Sequence, residues 1–298
     1  MDGGLTPPGA ADLHTGALLE RCDFPPPGSQ VTCAVSGGAD SLALLLLAVA
    51  AGCSVTAVHV DHGLRPGSAA EADVVAAAAA TVGARFIAER VAVAPGANLE
   101  ARARAARYAA LPPGALTGHT ADDQAETILL NLLRGAGLDG LAGFDPRRRP
   151  IRRLRRHDTV TLCAAAGFEP VLDPSNHDPR HRRNRVRHEL LPLLDAIAAR
   201  DVAAVLARQA EVLAADGELL ESLAASLDPT DARALSAAPL PLARRAVRRW
   251  LRTGEERHPP DGATVERVLA VARGEAVACE VGQGRSVRRS RGRLVLHA

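Results

Sequence analysis

A parallel α/β sheet in the first two-thirds of the chain, followed by a smaller and mainly helical domain, is the architecture this sequence predicts. Three observations predict it. β-prone runs alternate with helical ones as far as residue 133, a glycine turn joins the first strand to its helix, and after about residue 196 the chain reads as helices. Strands alternating with helices make βαβ units, which assemble into a parallel sheet covered on both faces. The expected domains are residues 1–196 and 197–298.

Residues 1–28 are rich in Pro and Gly and hold one short helical stretch, Asp12 to Arg21. Gln30 to Val35 is the first strand, Ser36 to Asp40 a glycine turn, and Ser41 to Ala51 an apolar helix. Ser54 to Val60 is β-branched and reads as a buried strand. Ala69 to Val82 is an alanine-rich helix that Gly83 ends. Arg85 to Val91 and Ala115 to Gly118 are further strands, and Asn98 to Ala110 and Ala121 to Leu133 further helices. From Asp145 to Arg156 seven arginines fall in twelve residues, and two prolines break up any long helix there. Asp201 to Leu227, Pro239 to Arg252 and Thr264 to Arg273 read as helices of the second domain. Val277 to His297 alternates and carries turn glycines, so it reads as a β-hairpin or a three-stranded ribbon.

Composition excludes several classes of function. With 298 residues and 47% hydrophobic content the chain is globular rather than disordered. One Trp, one Tyr and four Phe argue against an aromatic platform for stacking bases. The sequence has no lysine, so all 36 basic residues are arginine. A phosphate loop that relies on lysine is thereby impossible, and any cationic phosphate contact is a planar guanidinium. Five cysteines without a CxxC pair argue against a disulfide framework or a cysteine zinc site. No basic region leads into a long apolar stretch at the N-terminus, and Leu42 to Cys53 is too short to span a bilayer. A soluble, cytoplasmic protein that does not bind membranes is expected.

The chemistry concentrates in the loops that follow the strands. Val31 to Ser41 reads VTCAVSGGADS, a strand running into Ser36, Gly37, Gly38, Ala39, Asp40 and Ser41 with a helix directly after. Glycines let backbone approach a phosphate, and the freed N–H groups at a helix N-terminus present positive charge to it. Gly118 to Phe144 reads GHTADDQAETILLNLLRGAGLDGLAGF, which places His119 and three carboxylates, Asp122, Asp123 and Glu126, at a strand end. Acids in a first helical turn also serve as caps. Three of them beside a histidine exceed that need.

The SGGADS string resembles the PP-loop of the N-type ATP pyrophosphatases, which cleave ATP between its α and β phosphates. His59 to Ser68 (HVDHGLRPGS), the HTADDQAET string and Asp173 to Leu194 (DPSNHDPRHRRNRVRHELLPLL) follow in the order seen in the tRNA(Ile)-lysidine synthases. That resemblance covers roughly residues 29–195. It implies an adenine-nucleotide α-hydrolase-like, Rossmann-like fold and the use of ATP and Mg²⁺. It also implies free L-lysine and an isoleucine tRNA with a CAU anticodon as substrates, and leaves a homodimer open. The implied reaction begins when the C2 carbonyl oxygen of the wobble cytidine attacks the α-phosphate. The lysine ε-amine then displaces AMP, giving lysidine, and the anticodon reads AUA.

The residues carried over fall into groups. Asp40, His119, Asp122, Asp123, Glu126 and Arg134 are the expected catalytic set, with Asp40 and Asp123 as metal ligands. The division of roles among the four acids stays open. Ser36 to Ser41, Asp61, His62 and Arg104 are expected at the nucleotide, and Arg65, Arg107, Asn184, Arg185 and Arg187 at the tRNA. An arginine-rich segment beside an adenylating site offers tRNA phosphates an electrostatic path.

Two departures from the family pattern matter. RRRPIRRLRR stands where Arg-Pro-Leu-Leu is usual, which leaves the register of Arg149 and Arg152 open. The last hundred residues match only loosely, and a larger second C-terminal domain is expected to be absent. A 2-thiocytidine synthetase would be expected to carry paired cysteines or an iron–sulfur cluster, and a GMP synthetase an ammonia source. Neither feature is seen. A nucleotide-binding module without catalysis would leave the acids after His119 unexplained.

Overall fold

The computed structural model describes residues 10–61, 63, 68–92, 96, 99–143, 145–173, 176, 178–252 and 260–297. The chain separates into two compact units, Met1–Glu211 and Val212–Ala298. Their boundary falls inside one helix, α10 (Val202–Ala225), which follows nine others in the order given below.

In the first unit α1 (Ala10–Leu19) precedes the sheet. The sheet is built from β1 (Gln30–Ala34), β2 (Ser54–Asp61), β3 (Arg85–Arg90) and the two-residue β4 (Leu116–Thr117). All pairings are parallel and the order is β3-β2-β1-β4. Three helices serve as crossovers: α2 (Ala39–Ala50), α3 (Ser68–Thr81) and α4 (Leu99–Ala110). Right-handed connections place α2 and α3 on one face and send α4 to the other as the chain doubles back to β4. The buried clusters agree. Leu44 and Val75 join Cys33, Val55 and Ala57 in one core, whereas Tyr108 and Leu111 join Val58 and Val60 in another. β1 and β2 are therefore buried on both faces and read as apolar runs.

The strand order reverses between β1 and β4. In open α/β sheets such a reversal opens a crevice at the carboxyl ends of the strands, and ligands bind there. Ser36–Asp40 leaves β1 and Gly118–Asp123 leaves β4, so both chemistry-bearing strings meet at this crevice. Their backbones touch. A Cβ on Gly118 would lie 2.5 Å from the Asp40 carbonyl oxygen and 3.0 Å from the Ser41 Cα, both backbone atoms.

Beyond β4 lie α5 (Ala121–Leu132), the short α6 (Leu138–Leu141) and one tight turn at Pro146–Arg148. The arginine-rich segment then enters α7 (Arg156–Ala165), a helix that its prolines and charges had hidden. α7 packs beside α2 by burying Leu162 and Cys163 in the larger core. α8 (Arg182–Arg185) runs into α9 (Leu191–Ala198) through a widened turn, where the Leu191 N–H reaches the Val186 carbonyl five residues back. Such a turn inserts one residue into a helix and is frequent at functional sites.

The second unit holds α11 (Ala232–Ala237), α12 (Leu240–Leu251) and α13 (Gly262–Arg273). An antiparallel sheet of three strands follows: β5 (Ala278–Gly282), β6 (Arg285–Ser290) and β7 (Arg293–His297). α12 buries Ala243, Ala246, Val247 and Leu251, one helical stripe, and its arginines lie off that stripe. These side chains join Val268, Leu269, Val287 and Leu294 in a separate core. No helix among the described residues is long and apolar enough to cross a membrane.

The contact at Gly118 leaves no room for a methyl group. Gly118→Ala is expected to cost about 1–3 kcal/mol, as overpacking does. The midpoint of urea unfolding should fall with an unchanged slope.

Candidate active site

The turn after β1 has the form of an anion cradle. Gly37 takes φ +86°, a conformation that glycine tolerates and other residues resist. A Cβ there would also meet Val171 Cγ2 at 3.1 Å. The Ser36 amide donates to Ser41 Oγ at 3.1 Å, and Ser41 Oγ donates to the Gly38 carbonyl at 2.8 Å. The turn is thus closed by its own hydroxyls at the first turn of α2, where backbone N–H groups lack helical acceptors. Asp40 stands one residue inside that helix.

The acids of α5 face this turn. Asp123 spends one carboxylate oxygen on the helix start, accepting from the Thr120 amide at 3.0 Å and its hydroxyl at 3.1 Å. That is the ordinary capping role. Its other oxygen accepts from Arg183 at 3.0 Å and Arg156 at 3.2 Å. Glu126, with 0% of its side chain exposed, receives Arg183 Nε and Arg187 Nε at 2.6 Å each. Arg156 Nη1 lies 3.5 Å from the same carboxylate. Arg156 also reaches Asp40 at 3.3 Å, and the Thr159 hydroxyl donates to Asp40 at 2.5 Å. One guanidinium therefore binds three acids that come from both strand ends.

Asp122 points elsewhere. Arg155 grips it with two hydrogen bonds, at 3.0 and 2.9 Å, and the Arg156 amide donates to it at 2.8 Å. Arg156 opens α7, so Asp122 satisfies an amide at the start of a helix other than its own. Arg155 is also paired with Asp201. Asp40, Asp122, Asp123 and Glu126 thus face Arg155, Arg156, Arg183 and Arg187, and Asp201 adds a fifth acid at Arg155.

The electrostatics distinguish the acids. Burial raises the carboxyl of Asp123, but the charges of Arg156, Arg183 and His119 and the Thr120 amide outweigh it and hold it at about 2. Asp40 moves the other way. Burial raises it, and the nearby Asp123 charge adds to that, against one arginine and one hydroxyl. For Asp122, burial is outweighed by the Arg155 and Arg156 hydrogen bonds, and its carboxyl is lowered. His119 Nδ1 lies 2.9 Å from Thr117 Oγ1.

A divalent cation would meet hard oxygen donors here. Asp40 and Asp123 already converge on a single positive group, Arg156. No cluster of three or more His, Cys, Asp or Glu suited to a metal exists among the described residues. Mg²⁺ does not require one, because it is commonly held by one or two carboxylates together with substrate phosphates.

The other expected residues are spread more widely. Arg134 is exposed at the far end of α5, away from the cluster. Asp61 accepts from the Gly63 amide at 2.8 Å at the end of β2. His62, Arg65 and the Arg104 side chain lie outside the described residues. The Arg107 guanidinium sits 5.6 Å from the Tyr108 ring centre. Asn184 is buried and donates to the Asp178 carbonyl at 2.9 Å, and exposed Arg185 pairs with Glu189 one turn on. Arg187, expected at an RNA surface, is held at Glu126. Arg155, Arg156 and Thr159 were not singled out in the sequence. The signal was there in the two arginines that precede HDTV, but a run of arginines reads as a solvated face.

Comparison with known proteins places both parts of the chain in a family. Residues 15–194 match the family of PP-loop domains, and residues 231–295 match the TilS substrate binding domain. The chain is 43% identical to a tRNA(Ile)-lysidine synthase from Nocardia farcinica, covering 94% of this chain and 95% of that one. It is 42% identical to a tRNA(Ile)-lysidine synthase from Rhodococcus erythropolis, covering 91% and 90%. Among solved structures, a U34-tRNA thiolase from Methanococcus maripaludis superposes with a TM-score of 0.52 at 16% identity, over 68% of this chain and 78% of that one. That likeness is one of fold.

The lowered Asp123 carboxyl sets a pH dependence. A depressed folded-state pKa contributes stability above the unfolded value of 3.8 and loses it as pH falls through about 2. The difference in unfolding free energy between the protein and its Asp123→Asn variant should shrink by about 2 kcal/mol between pH 5 and pH 2. Chemical denaturation across that range measures it.

Proposed function

The chain belongs to the tRNA(Ile)-lysidine synthases, ATP-dependent ligases that modify tRNA, and on that premise we propose how its residues divide the reaction. The bond formed joins the ε-amine of lysine to C2 of the wobble cytidine in a CAU anticodon. ATP activates the C2 oxygen as an adenylate, and AMP leaves when the amine attacks. The observation that carries this reading is the meeting of the PP-loop with Asp40, Asp123 and Arg156 where the strand order reverses.

The Ser36–Ser41 turn takes the ATP phosphates on its amides and hydroxyls. Asp40 and Asp123 would hold Mg²⁺, which when bound would supply positive charge against the diphosphate leaving group. Asp123, held at about 2, stays ionised and is a weak base. Removal of the proton from the lysine ammonium is assigned to His119, whose ring Thr117 orients at this strand end. Arg156, which pairs with Asp40 and Asp123 beside the phosphate loop, would serve as the cation at the α-phosphate when those carboxylates hold the metal. Asp122 and Glu126 hold arginines in position and take no part in the chemistry.

A cavity of about 210 Å³ beside the cluster suits the amino acid. Its walls include Asp122, Glu126, Asp195, Arg155 and Arg187, charges of both signs that match an amino acid. Leu191 offers an aliphatic surface to the methylene chain. The second unit, which matches a substrate binding domain, contributes arginines that meet tRNA phosphates.

Labelled lysine supplied with ATP and Mg²⁺ should enter an isoleucine tRNA transcript with a CAU anticodon, and not one whose wobble base is U. His119→Ala should slow this transfer by about 100-fold or more while adenylate still forms. Equal loss of both half-reactions would remove His119 from the proton step.

A further inference from the structure

We propose that His59 is a positioning residue for the phosphate loop, acting through the carbonyl of Val35. The inference rests on reading Ser36–Ser41 as the loop that holds ATP. His59 stands near the end of β2, beside the point where β1 gives way to that loop. Its side chain is only 3% exposed. Nδ1 lies 2.9 Å from the Val35 carbonyl oxygen, the last peptide group before Ser36. A carbonyl only accepts, so Nδ1 carries the proton. Nε2 is buried and has no hydrogen-bond partner among the described residues.

A buried polar group with an unmet atom calls for an explanation, because an apolar side chain of similar shape avoids that cost. The Val35 contact supplies one. The Val35 amide donates to the Val58 carbonyl at 2.9 Å, which ties this residue to β2 through its N–H. The imidazole ties the same residue through its carbonyl. Both polar groups of Val35 are then fixed by β2, and the direction in which Ser36 leaves the sheet is fixed with them. Amides that bind phosphate act by pre-set direction, and small errors in direction are costly. His59 touches neither the phosphate nor the metal in this account. It sets the loop that does.

Leu and Asn separate the two possible roles. Both extend two bonds beyond Cβ, and Asn alone places an N–H where Nδ1 stands. His59→Leu should raise the KM for ATP about three- to tenfold, the value of one hydrogen bond, and leave kcat within about twofold. His59→Asn should stay within about twofold of the parent protein on both. In the parent protein, ¹H–¹⁵N correlation at about pH 8.5, above the ordinary imidazole range, should report the His59 proton on Nδ1. That reading stands even if a variant does not fold. A proton on Nε2, an unchanged KM in His59→Leu, or an equal defect in both variants would overturn the proposal. Gly37→Ala serves as the control. If it binds ATP normally, the loop reading itself fails and this proposal falls with it. If it loses ATP while His59→Leu does not, only the role of His59 is refuted.

Discussion

Glu126 is a fully buried carboxylate under three guanidiniums, and the arrangement of the site depends on it. A charge taken out of water is tolerated only when it is paired and hydrogen-bonded. Glu126 meets that condition with Arg183 on α8, with Arg187 on the widened turn that follows it, and with Arg156 on α7. The same three side chains reach Asp123, and Arg156 continues to Asp40. Four segments far apart in sequence are thereby joined at one point. A set of well-packed apolar residues can hold such segments as firmly, but it would not leave charged groups at the mouth of a phosphate loop.

The sheet decides where that point lies. Because the order is β3-β2-β1-β4, the loops after β1 and β4 open into one crevice. Gly118 lets their backbones meet closely enough for Asp40 and Asp123 to share a cation. Asp122, one residue away on α5, turns toward Arg155 and the start of α7 instead. Neighbouring carboxylates thus serve opposite ends, one facing the crevice and one anchoring the helix that supplies Arg156.

Much of this was legible in the sequence because it rests on local signals. β-branched runs, an SGGADS turn and an alanine-rich helix each reveal themselves within a dozen residues. What stayed hidden depended on contacts between distant residues. α7 begins in a segment whose prolines and arginines look unstructured, and its helical form is stabilised by a cap from Asp122, 34 positions earlier. Arg187 reads as an RNA contact until Glu126 is found beneath it. The clustered acids were visible, but their division was not, since Asp122 and Asp123 differ only in which way one helical turn faces. His59 opens a recognisable string yet draws no notice as a buried residue in a strand.

The most direct test is a double-mutant cycle between Glu126 and Arg187, with unfolding free energies measured in urea for Glu126→Gln, Arg187→Met and the pair. If the buried lattice holds the site together, the two changes couple by about 1–3 kcal/mol, because either one alone strands a buried charge or its partners. Additivity within about 0.5 kcal/mol would mean that the two side chains act independently, and would contradict the account.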